Sequence, residues 1–245
     1  MTWRITWATA RRALTQVRHD HRSVALILGV PTMLMGLLAW MYSDQPGFFD
    51  QIGASLLGLF PCVVMFLITA VTTLRERRSG TLERLLAMPM GKADFLGGYA
   101  LAFGLVATAQ ALVVATLSLT LFGLDVAGPT WAVILVAVAD ALLGTALGLW
   151  VSAFAATEFQ AVQFMPAVIF PQLLLSGLLV ARDQLPPVLE VVSTVMPLSY
   201  AVDAMKHLTT SPTVGASLWG NLAVVLGFTL AALVLGAATL RRRTP

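Results

Sequence analysis

Six long apolar stretches, separated by shorter polar segments, dominate the pattern of this chain. They cover residues 23–42, 52–74, 96–122, 131–154, 161–180 and 218–240. A helix of about 20 residues, rising about 1.5 Å per residue, crosses a hydrocarbon core of about 30 Å, and each stretch is long enough to do so. The stretches are apolar on every face, as in VILVAVADALLG, and do not alternate as strands would. The pattern therefore predicts an all-α membrane protein with six transmembrane helices.

The composition strengthens this prediction. Hydrophobic types make up 58% of the 245 residues, charged types make up 11%, and the mean hydropathy is +0.85. A typical soluble domain is about 45–50% apolar and about 25% charged, so this chain has too little polar surface to enclose a water-soluble core. The single cysteine, Cys62, lies in an apolar run, where we expect an inert buried thiol.

The placement of Lys and Arg predicts the orientation of the six spans. Five arginines precede the first span, five cations lie in the loop 75–95, and three arginines follow the last span. With six spans these segments share one side of the membrane, and the other side has only Arg182 and Lys206. By the positive-inside rule we expect a multi-pass protein of the cell membrane with both termini and the loop 75–95 in the cytoplasm.

The N-terminal segment is predicted to form an amphipathic helix at the cytoplasmic interface. Residues 2–17 combine Trp3 and Trp7 with several arginines, a composition typical of helices that lie in the plane of the membrane surface. Anionic lipid heads are possible contacts of Arg4, Arg11 and Arg12. The simpler alternative is a basic flank that only sets the topology. A signal peptide fits poorly, because the apolar run is too long and no A-x-A site follows it.

These segments divide the chain into three predicted parts. Residues 1–22 form the interfacial helix, residues 23–240 form the six-helix transmembrane domain, and residues 241–245 form a cytoplasmic tail. Within the transmembrane domain we expect a cytoplasmic loop at 75–95 and an extracellular helical hairpin at 181–217.

The cytoplasmic loop has more internal order than a simple turn needs. Leu82, Leu85 and Leu86 fall at i, i+3 and i+4, on one helical face. Gly80 precedes this pattern, and Pro89 ends it because proline cannot donate in the helix. A helix of about two turns is marginal alone, so it requires the membrane surface, the bundle or a partner protein. The alternative is a solvated turn that carries topogenic arginines.

The stretch ERRSGTLERLLAMPM, residues 76–90, resembles the E-x-x-x-G-T-L-E-x-L-L-x-x-P signature of ABC-2 type transporter permeases. In that family the segment follows the second membrane helix and is a cytoplasmic coupling element that docks on an ATP-binding subunit. The resemblance implies an ATPase-coupling role for Glu76, Gly80, Thr81, Leu82, Glu83, Arg84, Leu85 and Leu86.

A second resemblance to the same family lies in LPPVLEVVSTVMPLSYAVDAMKHL, residues 185–208. The family has a Leu-Pro pair, then P-L-x-Y and a short amphipathic helix between its fifth and sixth spans. Lys206 stands where members of the family often have Arg. In this chain Pro186 and Pro187 are predicted to begin one short helix and Pro197 a second.

This region also contains polar residues at helical spacing. An ion pair within one helix is the simplest explanation of Asp203, Lys206 and His207. The more specific hypothesis is an extracellular gate formed by Pro197, Tyr200, Asp203 and Lys206.

The sequence has no G-x-x-x-x-G-K-[ST] motif, because the Gly91–Lys92 pair is followed by Ala93 and lacks the upstream glycine. The chain is therefore predicted not to be an enzyme and to bind no cofactor or metal itself. The resemblance implies that ATP and Mg lie on a separate ATP-binding cassette ATPase subunit. It also implies a second permease chain, identical or closely related, in a symmetric assembly. Membrane lipids are expected partners and nucleic acids are not.

Three polar side chains inside the predicted spans are candidates for the substrate pathway. A carboxylate such as Asp140 costs about 2.5–3.5 kcal/mol at mid-bilayer on insertion scales and should face the protein interior. It either contacts a cationic or polar substrate or hydrogen-bonds a neighbouring helix. Gln110 and Gln172 are likewise either pathway residues or groups that join helices by hydrogen bonds.

Small and kinking residues also occur inside the spans. Gly144 and Gly148 form a G-x-x-x-G pattern, which allows close helix contact and is weak evidence for a dimer face. Pro61, Pro166 and Pro171 predict kinks. Kinks suit a bundle that rocks between states, but static bundles contain them as well.

The leading hypothesis is the membrane subunit of an ATP-driven exporter for a hydrophobic drug or lipid. In this hypothesis the ATPase partner pushes the loop helix and reorients the kinked spans. The alternative is a secondary active transporter that uses an ion gradient, a class in which inverted repeats and midplane ionisable groups are expected. A membrane-embedded enzyme ranks third, because the spans contain no His-Glu-x-x-His motif or acidic metal cluster.

Overall fold

The computed structural model describes residues 3–79 and 91–239, and every regular element within these ranges is helical. In chain order the α-helices are α1 (Trp3–His19), α2 (His21–Met41), α3 (Pro46–Arg78), α4 (Lys92–Thr120), α5 (Thr130–Val151), α6 (Glu158–Leu175), α7 (Pro187–Thr194), α8 (Pro197–Thr210) and α9 (Ala216–Thr239). A short 3-10 helix, Arg182–Gln184, precedes α7. The predicted all-α class is confirmed.

Five of these helices are long and apolar enough to cross a membrane, namely α2, α3, α4, α5 and α9. The pair α7 and α8 passes the same test when taken together, although the two helices are bent by 90° at their junction. The chain is therefore a multi-pass membrane protein, and residues 3–79 and 91–239 contain five candidate spans, or six if the bent pair is one broken span.

The predicted fifth span, 161–180, differs from the helix that forms. Helix α6 begins earlier, at Glu158, and ends at Leu175, so its 18 residues rise about 27 Å. Its glutamines and two internal prolines lower its hydropathy, which explains why it is not among the five candidates. It packs against α3.

Helix α3 is longer than the predicted span at both ends, running from Pro46 to Arg78. Proline is well tolerated in the first turn of a helix, which explains the early start. The last turn contains Arg75, Arg77 and Arg78, and cations at the C-terminal end complement the helix dipole. The first four positions of the predicted loop 75–95 are therefore helical.

Helix α5 lies at the centre of the bundle, where it packs against α3, α4 and α9. A Cβ added to Gly144 would overlap the backbone carbonyl of Cys62 in α3, and one added to Gly148 would overlap the carbonyl of Phe66. The G-x-x-x-G pattern thus brings two helices of one chain together. The interpretation of this pattern as a dimer face is wrong, because both glycines are buried inside the chain.

The first two helices meet at Asp20, which caps α2. Its Oδ1 accepts from the backbone N–H of Ser23 at 3.2 Å, and its Oδ2 accepts from the Ser23 hydroxyl at 2.6 Å. These hydrogen bonds lower the pKa of the Asp20 carboxyl. Helix α1 ends at His19 and α2 begins at His21, so α1 lies directly at the end of a candidate span.

Helix α1 packs against α4 through small side chains. Its buried face carries Thr6, Thr9 and Ala10 and meets Gly98 of α4. A Cβ at Gly98 would lie 2.6 Å from the Cβ of Thr9, so only glycine permits this approach. The predicted N-terminal helix therefore forms, and Trp3 and Trp7 remain exposed on another face.

Prolines shape several helices. Pro61 lies inside α3, Pro166 and Pro171 lie inside α6, and Pro31 lies inside α2, a position that the sequence analysis missed. Pro187 and Pro197 stand in the first turns of α7 and α8, as predicted.

Candidate coupling site

Most of the predicted coupling segment lies outside the described residues. This applies to Gly80, Thr81, Leu82, Glu83, Arg84, Leu85 and Leu86. The structure does describe Glu76 and both flanks, the last turn of α3 and the first turns of α4. The described part of the candidate site consists of the contacts that hold these two flanks in place.

Both flanks meet at Arg12 of α1. One guanidinium nitrogen of Arg12, Nη2, donates to Glu76 Oε2 at 2.8 Å and to the Tyr99 hydroxyl at 2.8 Å. Glu76 lies in the last turn of α3, and Tyr99 lies at the beginning of the third turn of α4. A single side chain thus connects the helix before residues 80–90 with the helix after them. We call Arg12, Glu76 and Tyr99 the arginine junction.

The arginine junction is mostly buried, which makes its hydrogen bonds strong. Glu76 is 5% exposed and Tyr99 is 1% exposed, whereas the Arg12 side chain keeps 39% of its surface exposed. Partial burial lowers the pKa of Arg12, but the hydrogen bond to Glu76 and the charges of Glu76 and Tyr99 outweigh it, so the pKa is raised. Because the Arg12 side chain is partly exposed, water screens the pair, and its loss should cost less than the roughly 3–5 kcal/mol typical of a fully buried ion pair.

The start of α4 is held by Asp94. Its Oδ2 accepts from the backbone N–H of Gly91 at 3.0 Å, which caps the helix, and its Oδ1 accepts from the Thr6 hydroxyl at 3.4 Å. Asp94 is 5% exposed. A carboxylate is favourable at a helix N-terminus, where free N–H groups point outward. This contact fastens α4 to α1 a second time.

The end of α3 also contacts α5 and α6. Arg77 donates to the backbone carbonyl of Ser152, just after α5. Arg75 forms a bidentate pair with Glu158 at the start of α6, with both N–O distances 2.8 Å. The hydrogen bond from Arg75 lowers the pKa of Glu158. Three consecutive residues of α3 therefore bind three different parts of the bundle.

A family model for the ABC-2 type transporter matches residues 4–209, which include both flanks and the segment between them. The chain belongs to the ABC-2 type transporter family. As a member, it is the membrane-spanning part of an ATP-binding cassette transporter.

Parts of two named proteins are similar to this chain. The ABC transporter G family member 20 of Dictyostelium discoideum is 28% identical over 151 residues, which are 60% of this chain and 21% of that protein. The probable multidrug ABC transporter permease YbhR of Escherichia coli is 26% identical over 154 residues, 63% of this chain and 42% of that protein. The matched region spans less than half of the length of either relative.

The predicted gate of this ABC-2 protein is held by a residue that the sequence analysis used only for orientation. Arg182 pairs with Asp203 Oδ2 at 2.6 Å and donates to the Ser193 hydroxyl at 3.0 Å. The Arg182 guanidinium also lies 5.6 Å from the ring centroid of Tyr200. Asp203 therefore pairs with a residue 21 positions earlier in the chain. The prediction of an ion pair within one helix is wrong.

The other predicted gate residues serve the same hairpin. Lys206 donates to the backbone carbonyl of Gly177, which follows α6 and has a φ of 87°. The Tyr200 hydroxyl donates to the carbonyl of Thr194 at 2.7 Å, and Pro197 begins α8. These contacts fasten α8 to α7 and to the end of α6. A gating role for them stays a prediction.

The three candidate pathway residues lie in different surroundings. Asp140 is 1% exposed and its carboxyl lies beside Cys62 and Gly58 of α3. Within the described ranges its Oδ1 has no hydrogen-bond partner. Cys62 is fully buried, as predicted. Asp140 therefore packs against α3, and its role in the substrate pathway stays a prediction.

The two glutamines differ from each other. Gln110 donates from Nε2 to the carbonyl of Ile27 at 2.6 Å and so joins α4 to α2, as the structural interpretation predicts. Gln172 donates to the carbonyl of Val168 at 3.0 Å, four residues earlier in its own helix. This hydrogen bond lies within one helix, so it does not confirm the prediction that the Gln172 amide joins two helices.

Several of these residues were missed because single-sequence patterns do not reveal partners. Arg12, Tyr99, Asp94 and Glu158 all take part in the contacts around the coupling flanks. Tyr99, Asp94 and Glu158 share one signal, a polar group near the start of a predicted span, whereas Arg12 lies inside the predicted N-terminal helix. That signal suggests an end contact but does not identify which helices meet.

Proposed function

We propose that this chain is the membrane subunit of an exporter that moves a hydrophobic or amphipathic substrate, a drug or a lipid, outward across the cell membrane. A separate ATP-binding cassette ATPase subunit, with its ATP and Mg, provides the energy. The observation that carries the proposal is the arginine junction, because it links the two helices on either side of the segment that resembles the family's coupling signature.

A partner that pushes on residues 80–90 acts on both flanks at once. Arg12 transmits the displacement to α1, α3 and α4, since it bonds to α3 and α4 from α1. Arg77 and Arg75 transmit it to the end of α5 and the start of α6. A push at this segment therefore reaches five helices through short contacts, as rigid-body reorientation of a bundle requires.

In this proposal the coupling residues Glu83 and Leu85 face the ATPase, and both termini lie on the same cytoplasmic side as the coupling segment. The excess of cations in these segments supports that orientation. The antiparallel course of α6 is consistent with it, because Glu158 at the start of α6 lies beside Arg75 at the end of α3.

The proposed assembly contains two permease chains, and α6 supplies the face between them. One face of α6 is exposed along its length, with Phe170 52% and Leu174 56% exposed. The same face carries Gln163, Pro166 and Pro171. Each proline leaves the carbonyl four residues earlier, at Val162 and Ala167, without its usual donor. Lipid tails cannot satisfy such groups, so this face is better suited to a second chain or to a polar pathway.

The name of the E. coli relative, a probable multidrug permease, supports a drug-like substrate. The uniformly apolar spans favour the same class. A secondary active transporter is the competing function. It would move substrate when the purified chain alone is reconstituted with an imposed ion gradient, whereas the proposed exporter would not.

The test is co-reconstitution of the chain with its ATPase in vesicles, with measurement of ATP hydrolysis and export of a hydrophobic dye. We expect Leu85→Asp to lower substrate-stimulated hydrolysis and export together, because the ATPase no longer docks. Arg12→Gln should keep docking but lower export at least tenfold, because the push no longer reaches the bundle. Arg18→Gln in the same helix is the matched control and should leave export unchanged. Full export by the Leu85→Asp variant would refute the proposal.

A further inference from the structure

Helix α1 carries an open, shallow basic groove on its exposed face, away from the small residues that pack against α4. Its lining includes Arg4, Trp7, Arg11, Thr15 and His19, and all of its described lining residues belong to α1.

The charge of this groove is suited to an anion. Arg4 and Arg11 are exposed and lie seven residues apart, so two turns of helix bring them to the same face. Helix α1 contains no Asp or Glu. Each guanidinium presents a planar set of donors that matches the oxygens of a phosphate. His19 Nδ1 donates to the carbonyl of Thr15 at 2.7 Å, which leaves Nε2 directed away from the helix backbone.

The flank beside the groove is suited to a membrane surface. Trp3 and Trp7 are 65% and 51% exposed, and their rings stack with centroids 6.4 Å apart. Tryptophan is enriched at the level of lipid headgroups, and basic amphipathic helices lie in that plane. Because α1 ends one residue before α2, a candidate span, it lies at the height where such a surface begins.

From these observations we infer that the groove binds the headgroup phosphate of an anionic phospholipid. Arg4 and Arg11 bind the phosphate oxygens, and Trp7 packs at the boundary between headgroup and acyl chain. An acidic protein surface matches the arginines equally well, but the two exposed tryptophans favour a lipid interface, where this residue type is enriched. An anionic phospholipid can bind the arginines through its phosphate and contact the tryptophans at the boundary between headgroup and acyl chain.

The test uses the full chain, purified in detergent and titrated with short-chain phosphatidylglycerol or phosphatidylcholine, with bound lipid counted by native mass spectrometry. We expect phosphatidylglycerol to bind more tightly than phosphatidylcholine. The double variant Arg4→Gln/Arg11→Gln should weaken phosphatidylglycerol binding by roughly fivefold per arginine, about 25-fold in total. The control Arg22→Gln/Arg78→Gln removes the same charge from exposed positions on two other helices and should retain binding.

Two results would overturn the inference. If both double variants weaken phosphatidylglycerol binding equally, the attraction is a general effect of charge and no site exists. If Arg4→Gln/Arg11→Gln binds phosphatidylglycerol like the parent chain but no longer associates with the ATPase subunit, the groove contacts an acidic protein surface. Both substitutions lie at exposed positions, and an unchanged melting temperature in detergent verifies that the variants are folded.

Discussion

The side-chain amide of Gln110 donates to the backbone carbonyl of Ile27 at 2.6 Å. This carbonyl is the one that Pro31, four residues later in α2, leaves without its usual backbone donor. Gln110 is fully buried, so its hydrogen bond replaces a missing helix bond inside the bundle. The proline site of α2 and the packing of α4 are therefore coupled through one amide group.

This relationship predicts the effect of Gln110→Leu. The substitution leaves the Ile27 carbonyl buried and unpaired, and we expect it to lower the free energy of unfolding by about 1 kcal/mol. In a Pro31→Ala background the new backbone N–H can bond to Ile27, so the same change should cost much less. The melting temperatures of the four proteins in detergent provide the comparison. An equal loss in both backgrounds would show that the amide does not serve this carbonyl.

The second prediction concerns the contact of α5 with α3. Gly144→Ala and Gly148→Ala each place a methyl group into a backbone carbonyl of α3, so we expect each to cost about 1–3 kcal/mol of stability. Gly227→Ala in α9 is the control, because nothing lies within 4 Å of its added Cβ. That variant should melt at the same temperature as the parent or slightly higher, since alanine favours helix. Equal melting temperatures of all three variants would contradict the close contact between α5 and α3.

The third prediction concerns the partner of Asp203. Asp203→Asn should destabilise the hairpin by about 1 kcal/mol, because the short pair with Arg182 is only partly exposed. A double-mutant cycle with Arg182→Gln should show coupling, whereas a cycle with Lys206→Gln should show almost none. Coupling of Asp203 to Lys206 and not to Arg182 would instead support the ion pair within one helix that the sequence predicted.

The fourth prediction concerns the pH dependence of the pair between Arg75 and Glu158. The hydrogen bond from Arg75 lowers the pKa of Glu158 below its ordinary value of 4.5, so the folded protein binds this proton less tightly than the unfolded one. The stability from this pair is therefore complete above pH 4.5 and is lost as the pH falls through the lower folded value. The pair is exposed and screened, so its contribution is about 0.2–1 kcal/mol.

Melting curves at neutral and acid pH measure this effect. Glu158→Gln should melt lower than the parent at neutral pH and approach it as the pH falls below 4.5. At about 1 M salt the difference at neutral pH should shrink, because the Debye length falls to about 3 Å. A difference that persists unchanged in acid would indicate that Glu158 acts through packing and not through its charge.

The sequence by itself determined the class of the protein and the positions of most helices. Apolar runs of about 20 residues allow only helices in lipid, because a helix satisfies its own backbone groups. The sequence also predicted where the two helices of the hairpin begin, because Pro187 and Pro197 stand in the first turns of α7 and α8. The order of residues in 76–90 indicated the ABC-2 family before any contact was known.

Only the tertiary structure decided which groups meet. The spacing of Gly144 and Gly148 revealed a close contact but not that its partner is α3 of the same chain. The charge of Arg12 suggested a lipid contact in the sequence, and folding directs it to Glu76 instead, 64 residues away. Local patterns report the propensity of one helix, whereas a hydrogen bond between helices depends on the packing of all of them. For that reason the partners were visible only in three dimensions.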